Sequence, residues 1–259
     1  MQRSLHRINF ITALLISIAF NSFAQADIKK SELEVAKLYG KILEQQDSAY
    51  QYADKFGKAF KKLLKDNPAT INYNFKRLQD SSHCYINTST DGNFRIYSWD
   101  TWTGGTMHFF NNIYQYKTEG NVFTQTPAHK KSDPGMFCSK IYAVIIKDKT
   151  FYLAIFNGIY STKDVSQSIQ AFTLTAGKLD DTVKLFKTRT QMLNRIDVPF
   201  DFFSVVDRPE RPLELITYNE TAQEIYIPLV DKNGQVTHSN LVYHLVDNVF
   251  EYIGIRKSK

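Results

Sequence analysis

Cysteine is scarce in this chain, with only Cys84 and Cys138 among 259 residues. So small a supply excludes a disulfide-stapled miniprotein. With no CxxC spacing it also gives no structural zinc site, which usually draws on four closely arranged ligands. Glycine and proline are sparse too, at 11 and 7, which excludes collagen-like and low-complexity chains. Familiar catalytic signatures are missing: there is no HExxH, GxxxxGK, GxGxxG or GxSxG. No zinc-protease helix, phosphate-cradling loop, dinucleotide fold or nucleophile elbow is signalled, and no cofactor is expected. What remains is 43% hydrophobic and 22% charged, the balance of a chain that folds around a core, and its 19 Phe and 15 Tyr are enough to fill one.

Long apolar runs are absent after the first 26 residues. There, Arg3 and Arg7 precede an apolar stretch from Ile8 to Phe23 and the small-x-small triplet Ala24-Gln25-Ala26, the order of parts in a secretory signal peptide. As a membrane anchor the stretch falls short: it is about 16 residues long, broken by Asn9, Thr12, Ser17, Asn21 and Ser22, where a span takes about 20. Residues 1–26 are therefore expected to be a signal peptide cleaved after Ala24 or Ala26. Cleavage would leave no transmembrane anchor, and no nearby cysteine could take a lipid. The mature protein is expected in the periplasm or outside the cell. The formal charge of +6 becomes a mild basic excess once Arg3 and Arg7 are removed, and without clustering on one face it argues for no nucleic-acid partner. In an oxidising compartment a Cys84–Cys138 disulfide is the slightly favoured reading, with two buried thiols the alternative.

Residues 27–80 read as an N-terminal helical segment. Ser31-x-x-Glu34 matches a capping box, and Val35, Leu38, Ile42, Ala49, Ala53, Phe56, Phe60 and Leu63 recur at helical period until Asn67-Pro68. Gln45-Gln46-Asp47-Ser48 offers a break, so one long helix or two shorter ones are expected between residues 31 and 66. From Lys55 to Lys65 the pattern is sharply amphipathic, which suits a helix docked on the core with its lysines in water better than one lying on lipid.

Residues 81–259 read as a β-rich domain of alternating aromatic and branched residues cut by turn signals. About three copies of a four-stranded meander are legible. The first runs from Cys84 to Phe123 around Asp91-Gly92. The second runs from Ile141 to Leu179 around Lys147-Asp148-Lys149 and Ala176-Gly177, and the third from Leu213 to Ile253 around Asn219-Glu220 and Asp247-Asn248. The expected fold class is thus mainly β, antiparallel meander repeats arranged like propeller blades or as a curled sheet, preceded by a helical element. Three blades are too few to close a ring alone. Two breaker-rich loops, Thr124–Pro134 and Asp197–Pro212, read as linkers.

One segment stands out. Tyr97-Ser98-Trp99-Asp100-Thr101-Trp102-Thr103-Gly104-Gly105-Thr106-Met107-His108 holds both tryptophans of the chain beside a carboxylate, hydroxyls, a glycine pair and a histidine. The candidate ligand-binding residues are Tyr97, Asp100, Trp102, Thr106 and His108. The competing reading is a tight turn whose Asp100 and threonines bond to backbone amides while the indoles fill the core. His108 and Asp100 with His83 or His129 are the residue types for a divalent ion, but each histidine reads more readily as a plain polar residue of a strand or loop, and no metal site is expected.

This segment, with the leader ending Phe23-Ala24-Gln25, resembles a group of uncharacterised exported proteins of Bacteroidetes that carry a YSWDT-x-TGGTM-like core. Here the core is Tyr97–Thr101 and Thr103–Met107, and the likeness extends to the helix before Pro68 and to Asn72-Tyr73-Asn74-Phe75. Trp102 departs from the pattern, where a small residue is expected. The resemblance implies export and family membership, and it carries no activity. The functional expectation is a noncatalytic binding or interaction protein of the cell envelope, with an envelope protein or a glycan as partner. The alternative is an envelope hydrolase or metal-assisted enzyme built on Asp100 and His108.

Overall fold

The computed structural model describes residues 27–45, 48–81, 84–128, 133–207 and 214–257. The leader, His83, His129, residues 208–212 of the Asp197–Pro212 linker and Leu213 lie outside these. Two helices rather than one open the described chain: α1 over residues 27–44 and α2 over Ala49–Asp66, parted at the expected break. Because α1 is already helical at residue 27, Ser31 sits inside it and the expected capping box does not form its start. On α2 the buried positions are Ala49, Ala53, Phe56, Phe60, Leu63 and Leu64, one helical stripe, while Lys58 and Lys62 pair with Asp54 and Asp66 on the outer side. Asn67 ends the helix, its backbone and side-chain amides both donating to the Leu63 carbonyl at 3.1 Å. A 3-10 turn over Pro68–Asn72 and the short α3, Lys76–Gln79, complete the helical layer.

The rest is mainly β, so that 47% of the described chain is strand, and its antiparallel sheets include one curled into a half-barrel. In chain order the strands are β1 (Cys84–Thr88), β2 (Phe94–Asp100), β3 (Phe110–Thr118), β4 (Asn121–Gln125), β5 (Phe137–Ile146), β6 (Lys149–Ile159), β7 (Asp164–Thr175) and β8 (Lys178–Asp180). They continue with β9 (Phe186–Lys187), β10 (Met192–Leu193), β11 (Arg195–Asp201), β12 (Thr217–Asn219), β13 (Glu224–Val230), β14 (Val236–Val246) and β15 (Val249–Lys257). The first sheet has the order β1-β2-β3-β4. The second has β11-β7-β6-β5 with β8 also on β7, and the third has β10-β9-β15-β14-β13-β12. Equal four-stranded blades are not what the second and third sheets form. β11, expected as linker from Asp197 onward, adds to β7, and β9 joins β15 in parallel.

Side-chain alternation turns the three sheets and the helices into successive layers. On β2, Tyr97 and Trp99 face the helices and pack with Phe56, Phe60 and Leu63, while Phe94 and Ile96 face the second sheet and pack with Tyr152, Phe156 and Phe172. On β6, Tyr152, Ala154 and Phe156 face the first sheet, whereas Leu153 and Ile155 meet Ile225, Ile227 and Phe250 of the third. Both middle sheets are therefore covered on both faces, and every residue of β2 is buried.

The helical layer is fastened to the first sheet by polar groups as well as rings. Arg95, buried on the helix side of β2, donates through Nη1 to the carbonyls of Thr70, Ile71 and Tyr73 at 3.0, 2.9 and 2.7 Å. Burial pulls its pKa below the ordinary arginine value, an effect that nearby Tyr97 opposes. Gln115 on β3 accepts from the Tyr97 hydroxyl at 2.7 Å and donates to Leu64 O at 3.1 Å and Thr70 Oγ1 at 2.9 Å. Replacing Arg95 by Met keeps volume but strips three buried carbonyls of their donor, at a cost of about 3 kcal/mol. Thermal unfolding of Arg95→Met is expected to show a melting temperature lower by roughly 10 °C. An unchanged melting temperature would mean that this end of the helical layer is held by apolar packing alone.

Candidate functional site

β2 and β3 are joined by the segment that the sequence singles out, and the loop crosses the end of two layers. Its base is closed by the Thr101 amide donating to the Phe109 carbonyl at 2.8 Å. Trp102 takes a left-handed backbone conformation, φ 53°, which costs a non-glycine residue about 1 kcal/mol. The Asp100 carboxylate compensates: Oδ1 accepts the Trp102 amide at 2.8 Å. Oδ2 of the same carboxylate is bonded to His108 Nδ1. An ionised carboxylate can only accept, so Nδ1 carries the proton, and in the neutral ring Nε2 is the acceptor. Asp100 is 1% exposed, and its own carbonyl accepts from the Tyr39 hydroxyl of α1 at 3.3 Å. His108 is further set by its backbone amide, which donates to the Ile159 carbonyl at the end of β6 at 3.0 Å, and by its ring stacked on Phe110.

The glycine pair serves close backbone approach at one position and not left-handed backbone at either. Neither Gly104 nor Gly105 takes a positive φ; Trp102 does. A Cβ on Gly104 would lie 1.9 Å from the Met107 carbonyl, so this position is glycine because the loop folds back on itself there, whereas Gly105 faces open space.

Of the five candidate residues the structure brings Asp100 and His108 into contact. Thr106 and His108 line a pocket of about 310 Å³ against the second sheet, whose walls include Phe137, Ile159, Val165, Phe200 and Phe202 with Asn157 and Ser166. This lining is largely apolar, and His108 is its only ionisable residue. Trp102 falls on the other side of the loop, half-buried against the helical layer, with its indole edge-on to His108 at 5.9 Å. Tyr97 is not part of the site. It is fully buried on the helix face of β2, opposite to Asp100, with its hydroxyl held by Gln115 and Thr70, and Tyr114 is likewise buried in the core. His83 and His129 lie outside the described residues, and no cluster of three metal-ligating side chains occurs among those that are described.

Half of the pocket's lining residues come from β6, β7 and β11, which the reading of single motifs missed. Asn157-Gly158, interrupting the apolar run of β6, was the available signal, since a glycine inside a strand marks a close approach. A Cβ on Gly158 would lie 2.6 Å from the Tyr160 hydroxyl, which folds over it to bond Ser166 Oγ at 2.9 Å. Ser161 Oγ, also in the pocket wall, donates to Asp164 and accepts the Lys163 and Asp164 amides.

The expected disulfide is not formed: Cys84 and Cys138 are free, buried thiols. Alternation along β1 explains this. Cys84 packs among the helix-facing residues, its neighbour Tyr85 stacks on Phe137 of β5, and Cys138 lies in the core between the first and second sheets. The two thiols thus occupy different layers.

The chain matches no family model and no curated protein. No described helix is long and apolar enough to cross a membrane.

Two measurements check this geometry. Burial pushes the Cys84 thiol up to about 12, and Cys138 also upward, so neither is expected to react with a thiol reagent in the native protein even near pH 9, while both react in denaturant. A protein that yields no thiols in denaturant would carry the disulfide after all. In Asp100→Asn, Oδ1 can keep the Trp102 amide only by turning the Nδ2 donor on His108. The ring is then expected to switch to the Nε2–H tautomer, visible in its ¹⁵N shifts, with a stability loss of about 2 kcal/mol.

Proposed function

We propose that the protein is a noncatalytic binding protein of the cell envelope whose ligand enters the His108 pocket. The observation that carries this reading is a rigidly held imidazole, backed by a buried carboxylate, at the wall of a largely apolar pocket of about 310 Å³. Small-molecule sites commonly have this composition, an apolar concavity with a few convergent polar groups that fix orientation. The ligand class is a compact molecule with an apolar body and one hydroxyl or amide head group, the apolar part among Val165, Phe200 and Phe202 and the head towards Thr106 and His108. Export rests on the residue pattern of positions 1–26. The runs β1–β4, β5–β8 and β12–β15 support reading the layers as three meander units stacked face on face.

A hydrolase is the second reading, favoured by the Asp100–His108 pair, which is what a general base requires. The pocket's serines argue against a nucleophile, because Ser161 and Ser166 spend their hydroxyls on Asp164 and Tyr160.

The test is calorimetric titration with 1-octanol, together with turnover of p-nitrophenyl butyrate. Binding is expected in the native protein and is expected to be lost in Val165→Phe, which fills the pocket, with the melting temperature maintained. His108→Gln is expected to weaken it several-fold. Ester turnover that disappears in His108→Gln would install the hydrolase reading. Octanol binding that survives Val165→Phe would remove this pocket from consideration.

A further inference from the structure

A second concavity lies on the opposite side of the same loop, between it and the start of α2. It consists of two adjoining hollows of about 490 and 340 Å³ that share Tyr50 and Thr103 in their walls. The first is closed by Ile42, Trp102 and Gly104, and the second by Asp54, Asn111 and Asp133. Its chemistry differs from that of the His108 pocket, because polar and apolar surface are mixed along its length.

Tyr50 is the telling residue. It sits in the first turn of α2 with 79% of its surface exposed, the most exposed of the large hydrophobic side chains described. The helix buries the stripe Ala49, Ala53, Phe56 and Phe60, so Tyr50 contributes nothing to that core. A phenol held in water at the meeting point of two hollows is placed to give its ring face to a ligand. Around it the polar groups are mainly acceptors. The Asp54 side chain is 57% exposed, and Asp133 and Asn111 are exposed on the far wall. Lys58 sits against Asp54 and offsets its charge, so among the described residues the lining is neither basic nor strongly acidic, which disfavours phosphates and polyanions.

We propose that this groove binds a neutral oligosaccharide. A pyranose presents an apolar face of C–H groups, suited to an aromatic ring, and an edge of hydroxyls, suited to carboxylate and amide oxygens. Tyr50 supplies the first and Asp54, Asp133 and Asn111 the second. Two joined hollows accommodate more than one sugar ring. The inference is independent of the His108 pocket, from which the Thr101–His108 loop separates it.

The experiment is calorimetric titration of the full chain with cellohexaose, laminarihexaose, mannohexaose and chitohexaose. At least one is expected to bind, and Tyr50→Ala is expected to weaken it about tenfold or more with an unchanged melting temperature, since the ring is exposed. Asp54→Asn and Asp133→Asn are expected to weaken it by smaller factors. Phe123→Ala, which removes an exposed ring outside the groove, is expected to bind as the native protein does. The proposal is overturned if none of the four binds, or if Tyr50→Ala binds undiminished. It is also overturned if spermidine binds in their place and is lost in the two Asn variants, which would make the groove a cation site.

Discussion

Coverage of the first and second sheets on both faces is the constraint from which the rest of the molecule follows. A sheet with one wet face can leave its polar side chains to water; over most of their length these two cannot, so the buried polar groups on β2, β3, β6 and β7 have to find protein partners. The result is two seams of side-chain hydrogen bonds. Between the first two sheets, Ser98 donates to Asn112 at 2.6 Å and accepts the Cys138 amide at 2.9 Å, and Asn112 donates to the Met136 carbonyl at 2.9 Å. Within and beyond the second sheet, Gln167 donates to Asn157 at 2.8 Å and accepts the Ile216 amide, while Asn157 donates to Ser139 at 2.9 Å. Such bonds add modestly to stability, but their loss leaves buried groups unsatisfied, and they fix the register of one layer on the next.

The same constraint sends the chain's irregular features to the ends of the layers. Within the stack the strands are packed against a neighbouring layer on each face. At the end of β2 the alternation continues for one more residue: Asp100 still points to the second-sheet side, like Phe94, Ile96 and Ser98, and meets His108 there. Beyond it the backbone turns over, and Trp102 packs toward the helices. The two concavities are consequences of that divergence, one on each side of a single loop.

Much of this order was legible in the chain. The helical period from Val35 to Leu63 and the turn pairs Asp91-Gly92, Ala176-Gly177 and Asp247-Asn248 mark elements whose causes are local, and local causes can be read locally. What was not legible depends on the faces of distant strands. Tyr97 and Asp100 look alike as candidates until the parity of β2 sends one toward the helices and the other toward the second sheet. Cys84 and Cys138 look like a pair until alternation puts them in separate layers. β9, β10 and β11 are short or carry a proline, Pro199, so their strand character comes from the partners they meet rather than from their own composition.

The loop's own bonds account for its shape. Gly104 admits the Met107 carbonyl, the Thr101 and Thr103 hydroxyls satisfy each other at 2.8 Å, and one buried carboxylate holds both the left-handed Trp102 amide and the His108 ring. A turn needed only for connection could be shorter and would not require a carboxylate at 1% exposure. Burying that charge is costly, and it is recovered by fixing two groups at once, a backbone amide on the helical side and an imidazole on the sheet side. The imidazole is thereby oriented before anything arrives, so that little ordering remains to oppose binding at the pocket it lines.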